Sequence, residues 1–136
     1  RQAWAAGNSR PRREVESVYK SPEHRAAEAV VRSMGVTCVN ISMRQFIYAL
    51  EVLHREPEMI HSITRKLHQA VQEHYPDSST EAVERNLRSA RDTILRRADP
   101  ERLRQVVGFT VRITPSVGDL LDSIGYYMER VGLWPD

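Results

Sequence analysis

The sequence predicts an all-α fold, a compact bundle of about six helices that contains a helix-turn-helix. Two observations carry this. Apolar residues recur at three- and four-residue spacing along most of the chain after residue 20. Proline and short polar residues then mark helix starts, and glycines mark helix ends, at helix-length intervals. The β-branched run Val36 to Ile41 has no pairing strand nearby and reads as a connector.

The first 20 residues are polar and basic, with Arg10, Arg12 and Arg13 around Pro11. They read as a flexible arm or linker, with a helical piece near Glu14 to Tyr19; residues 21–136 form the folded domain. Ser21-Pro22-Glu23 is a cap followed by proline at the first helical position. That helix runs to Met34 and stops at Gly35, burying Ala26, Ala27, Val30 and Val31. Ser42 is expected to cap a second helix through about Arg55, with Phe46, Ile47, Leu50 and Leu53 inward. Pro57 starts a third, in which Met59, Ile60, Ile63, Leu67 and Val71 repeat at helical spacing until His74-Tyr75-Pro76-Asp77 breaks it.

The fourth helix is the most informative. Ser78 and Glu81 have the spacing of a capping box, and Val83, Leu87, Ala90 and Ile94 form one narrow apolar face. The opposite face carries Glu81, Glu84, Arg85, Arg88 and Asp92. A fifth helix starts at Asp99-Pro100-Glu101 and ends at Gly108. Phe109 to Ile113 is extended, Thr114-Pro115-Ser116 forms a loop, and a last helix runs to about Val131. It buries Leu120, Leu121, Ile124, Tyr127 and Met128.

A third helix, or its later half, joined by a short turn to a helix over 79–97 has the helix-turn-helix pattern. In that arrangement the exposed early turns of the second helix meet base edges. Arg85 and Arg88 are natural guanine readers, because a guanidinium fork matches the O6/N7 acceptors. Glu84 accepts from a cytosine amino group or orients an arginine. Ser78, Ser79 and Thr80 stand where a helix N-terminus receives phosphate, while Arg91, Arg96 and Arg97 extend the basic surface. The alternative for the same residues is a solvated amphipathic face.

Composition bounds the reading without choosing it. The chain has 136 residues, 40% hydrophobic and 28% charged, with a net charge of +2. That balance neither demands nor excludes nucleic acid, since local clustering matters more than the sum. Lone Cys38 permits no internal disulfide and reads as a small buried hydrophobe, in keeping with a reducing cytoplasm. No apolar run is long enough to span a bilayer, and no signal peptide is visible. Beginning at Arg1 rather than Met, the chain reads as a fragment or a processed product. The five histidines are expected at the surface, without zinc-site spacing. Asp119 and Asp122 complement the dipole of the last helix. No phosphate loop, metalloprotease signature or catalytic triad is seen, so no enzyme, cofactor or metal is expected. A pocket lined by His61, His68 and a carboxylate would reopen the enzyme reading.

Four blocks carry a family resemblance. Val83-Glu84-Arg85-Asn86-Leu87-Arg88-Ser89-Ala90 resembles the recognition-helix pattern V-E-R-A-I-R-H-A-I of the stage 0 sporulation protein A effector domain. Met34-Gly35-Val36 is similar to that family's I-G-V, Ser62-Ile63-Thr64-Arg65-Lys66-Leu67 to its S-I-T-K-x-L, and Val107-Gly108-Phe109-Thr110-Val111 to its F-G-Y-T-V. The blocks stay in order from about Glu23 to Val131.

The resemblance implies the DNA-binding effector domain of a response regulator in a bacterial cytoplasm, nucleoid-associated when bound. It implies double-stranded DNA as partner, dimer binding at tandem sites and contact with an RNA polymerase sigma factor. Glu84, Arg85 and Arg88 would read bases; Ser78, Ser79, Thr80, Ser89 and Arg91 would flank them on the backbone. Arg96, Arg97, Glu101 and Arg104 would fall in the region implicated in sigma contact. There are departures. Ser89 stands where the family has histidine, and Phe46-Ile47-Tyr48-Ala49-Leu50 replaces its L-R-E-A-I. The loop Thr114 to Gly118 is shorter and lacks the family's lysines, so no phosphate contact carries over there. The 136 residues include no phosphoacceptor receiver domain. The competing function is a protein-interaction domain of the same fold, using Tyr126, Tyr127 and Trp134.

Overall fold

Capping chemistry sets most of the helix boundaries in the computed structural model, which describes residues 20–135. Among the described residues six α-helices follow one another: α1 Pro22–Ser33, α2 Ile41–Arg55, α3 His68–His74, α4 Thr80–Arg97, α5 Pro100–Val107 and α6 Val117–Arg130. No strand occurs among the described residues. The expected arm, with its helical piece near Glu14 to Tyr19, lies outside them except for Lys20.

Ser21, Asp99 and Ser116 cap α1, α5 and α6, each accepting from the backbone N–H three residues on. Gly35 and Gly108 follow α1 and α5 with φ of 91° and 89°, a left-handed conformation that glycine adopts without a Cβ penalty. The Asp99 N–H donates to Met34 O at 2.8 Å, so the start of α5 is fastened to the end of α1.

α2 is central. It packs against α1, α4, α6 and the segment that precedes α3. Its Met43, Phe46, Ile47 and Ala49 are wholly buried, and they meet Val83, Leu87, Ala90 and Ile94 of α4. Leu120, Leu121, Ile124 and Met128 of α6 close the core. Ala26, Leu53, Met59, Ile63 and Tyr127, expected inside, are only partly buried at its margin.

Two caps fall elsewhere than expected. Asn40, not Ser42, caps α2 by accepting from the Met43 N–H at 2.8 Å. Ser79, not Ser78, caps α4 by accepting from the Ala82 N–H at 3.1 Å, so the Ser78–Glu81 capping box does not form. In both places several capping residues stand side by side, and the tertiary partners described below take the unused hydroxyl.

The expected third helix is also broken. Residues Pro57–His61 form a 3₁₀ turn, Ile63–Leu67 a π turn, and only His68–His74 is α-helical. Ser62, at φ −146° and ψ 55°, interrupts the helix, and the Leu67 N–H reaches back five residues to Ser62 O. The break places Ile63 against α6, where a Cβ on Gly118 would lie 3.6 Å from Ile63 Cδ1. Packing between segments outweighs the local periodicity here.

Candidate nucleic-acid interface

The buried stripe of α4 fixes its rotation about its own axis. Val83, Leu87, Ala90 and Ile94 have no exposed surface, so Glu81, Glu84, Arg85, Arg88 and Asp92 face outward as expected. Arg88 Nη1 lies 3.2 Å from Glu84 Oε2, with both side chains half exposed. Arg85 is exposed and makes no ion pair among the described residues. The face therefore offers one unpaired guanidinium and one held by a carboxylate a turn earlier.

A buried polar knot holds this helix to α2. Gln45 is wholly buried; its Nε2 donates to Ser78 Oγ at 3.1 Å, and its Oε1 accepts from Asn86 Nδ2 at 3.0 Å. Ser42 Oγ donates to Asn86 Oδ1 at 3.4 Å. One amide thus binds both the turn before α4 and its second turn. Sequence reading missed Gln45, although a polar residue in register with Ala49 and Val52 was the available signal.

The flanking residues divide. Ser78 is occupied by Gln45 and Ser79 by its cap, while Thr80 and Ser89 are exposed. Arg91 is half-buried: its Nε donates to Asp92 Oδ1 at 3.0 Å and its Nη1 to Pro115 O at 3.4 Å, which ties the loop before α6 to α4. Arg96 and Arg97 end α4 in solvent. On α5, exposed Arg104 hydrogen-bonds Glu101 and holds that carboxyl below the usual carboxylate range. Arg96, Arg97, Glu101 and Arg104 lie around the α4–α5 junction, away from Glu84 and Arg85 in sequence.

Two histidines are not at the surface. His24 and His68 are buried, whereas His61 and His74 are exposed and His54 stacks on Trp134 at 4.2 Å. His24 sits between two carboxylates, its Nε2 3.5 Å from Glu28 and its Nδ1 3.6 Å from Glu51 on the next helix, a feature invisible to a count of spacings. Burial pushes the pKa of His68 down, with Glu84 opposing and Arg88 assisting.

His61 and His68 do share a groove, of about 590 Å³, with Glu84, Arg88, Asp119 and Asp122. This is the pocket that would reopen an enzymatic reading. Neither histidine hydrogen-bonds a carboxylate or hydroxyl in it, and Ser116 Oγ is engaged as the cap of α6. No group of three or more His, Cys, Asp or Glu is placed to hold a metal ion among the described residues. Among the described residues no helix is long and apolar enough to cross a membrane.

The domain is all-α, and a short α3, a turn over residues 75–79 and a longer α4 with arginines outward are consistent with a helix-turn-helix. The family model described as "Sporulation initiation factor Spo0A C terminal" matches residues 27–126. The chain belongs to that family of DNA-binding effector domains. A search of the curated proteins finds no match.

Proposed function

We propose that this domain is a sequence-specific transcription regulator that lays α4 in the major groove of double-stranded DNA. The observation that carries the reading is the outward face of α4: Arg85 and Arg88 exposed on a helix whose rotation the buried stripe and Gln45 both fix. Arg85 and Arg88 read guanines, and Glu84 orients Arg88 or accepts from a cytosine amino group. The N–H groups at the start of α4, with Thr80, Ser89 and Arg91, meet phosphates on either side. Arg96, Arg97, Glu101 and Arg104 form the surface offered to a sigma factor, and two copies bind tandem sites. The domain acts at the bacterial nucleoid, and the family it belongs to is one of DNA-binding effector domains rather than enzymes.

The test is binding to a duplex carrying the family's consensus element and to a scrambled control, by fluorescence anisotropy at two salt concentrations. Tight, sequence-dependent binding that weakens with salt is expected. A bidentate arginine–guanine pair is worth about 1–3 kcal/mol, so Arg85→Ala or Arg88→Ala removes most of the preference without unfolding the domain. Equal affinity of the wild type for both duplexes would overturn the reading.

A further inference from the structure

A second surface lies further along the same face of α6. Asp122, Tyr126 and Glu129 fall at successive turns along one face of that helix, with Asp119 a turn before Asp122. Opposite them the 57–60 segment and the end of α2 supply Leu53, Pro57 and Ile60, and Trp134 closes one end, stacked on His54. This cleft, of about 240 Å³, meets the histidine-lined groove at Ile60 and Asp122. Its floor is apolar, and its α6 rim carries Asp122 and Glu129, with Asp119 a turn earlier on the adjoining groove; none of the three is in an ion pair among the described residues. Tyr126 is 66% exposed beside it. The adjoining groove holds His68, at 6% exposure.

The chain itself carries a segment of the matching chemistry. Residues 1–13 hold Arg1, Arg10, Arg12 and Arg13, no acidic residue, and the aromatic Trp4. The described chain starts against α2, which forms one wall of the cleft: Ser21 Oγ donates to Glu51 Oε2 at 3.0 Å. A fully extended stretch of seven residues, 14 to 20, spans up to about 24 Å.

We propose that the basic segment 1–13 of this chain docks in the cleft between α6 and residues 53–60, with Trp4 on the apolar floor and its arginines along Asp119, Asp122 and Glu129. The cleft is thereby an intramolecular seat that withholds the arm's positive charge from other anions. The inference does not depend on how α4 is used.

Trp4 and Trp134 are the two tryptophans, so W134F leaves Trp4 as the sole reporter while keeping a ring over His54. In the 136-residue W134F chain, Trp4 emission is expected to be blue-shifted and shielded from acrylamide. Adding D122K and E129K, both on exposed positions, is expected to raise quenching several-fold with an unchanged helical circular dichroism signal. Added salt should move the W134F chain in the same direction. Quenching that is as strong before the lysine substitutions as after them would overturn the proposal. Protection that disappears on dilution would also overturn it, by assigning the cleft to a second copy.

Discussion

Asn86 Nδ2 donates to Gln45 Oε1 at 3.0 Å, so the second turn of α4 is bound to the middle of α2 through a wholly buried amide. Because Gln45 also donates to Ser78, it sets both where α4 begins and how it is turned. Specific orientation of this kind comes from hydrogen bonds, since apolar packing alone tolerates small slides and rotations.

Removing that amide should therefore cost stability and precision together. Gln45→Ala leaves Asn86 and Ser78 without their partner, and a lost buried partner costs about 1–3 kcal/mol. Urea denaturation should show the loss as a lower midpoint. An unchanged midpoint would mean that solvent reaches the site and replaces the amide.

Glu84→Gln separates charge from readout. It removes the carboxylate that holds Arg88 at 3.2 Å and takes one negative charge from the proposed DNA face. Affinity for scrambled duplex should rise while the ratio of cognate to scrambled falls, because an untethered arginine favours phosphate. A higher ratio in the variant would show that Glu84 opposes readout rather than shaping it.

Acid sensitivity has two named sources. Burial lowers the pKa of His68 below its ordinary 6.5, so the native state disfavours its proton. The stability tied to that difference is full above 6.5 and is lost as pH falls through the folded value. Burial raises the pKa of Glu51, but hydrogen bonds from His24, Arg55 and Ser21 outweigh this and leave it below 4.5. Its contribution is present above 4.5 and is lost at lower pH, by the same sign. Stability curves for His68→Leu should lose the slope just below 6.5 and keep the slope below 4.5; Glu51→Gln should keep the first and lessen the second, the remainder coming from carboxylates such as Glu28 that are also held low. Identical curves for the two variants would show that neither group carries the dependence.

Cys38 should behave as a buried hydrophobe. Burial raises its thiol to about 11, and its Sγ lies 3.8 Å from Val36 O, so little thiolate exists at neutral pH. Labelling by a thiol reagent at pH 8 is expected only as fast as the domain opens, and to become rapid in denaturant. Prompt labelling of the native protein would contradict this.

Much of the fold was legible in the sequence because it rests on short-range chemistry. A cap, a first-turn proline and a closing glycine act within a few residues, so α1, α5 and α6 begin and end where Ser21-Pro22, Asp99-Pro100, Ser116, Gly35 and Gly108 put them. The outward face of α4 was legible for the same reason, its buried stripe being periodic in the chain. The choice between neighbouring caps was not. Asn40 over Ser42 and Ser79 over Ser78 were decided by Gln45 and Asn86, which stand more than 30 residues from their serine partners. Likewise only the packing of Ile63 on Gly118 turned a periodic stretch into 3₁₀, π and α pieces, and only the meeting of separate helices buried His24 and His68. Local propensity specifies which residues form a helix; long-range contacts, which no spacing reveals, decide which polar groups those helices enclose and which they leave to a partner.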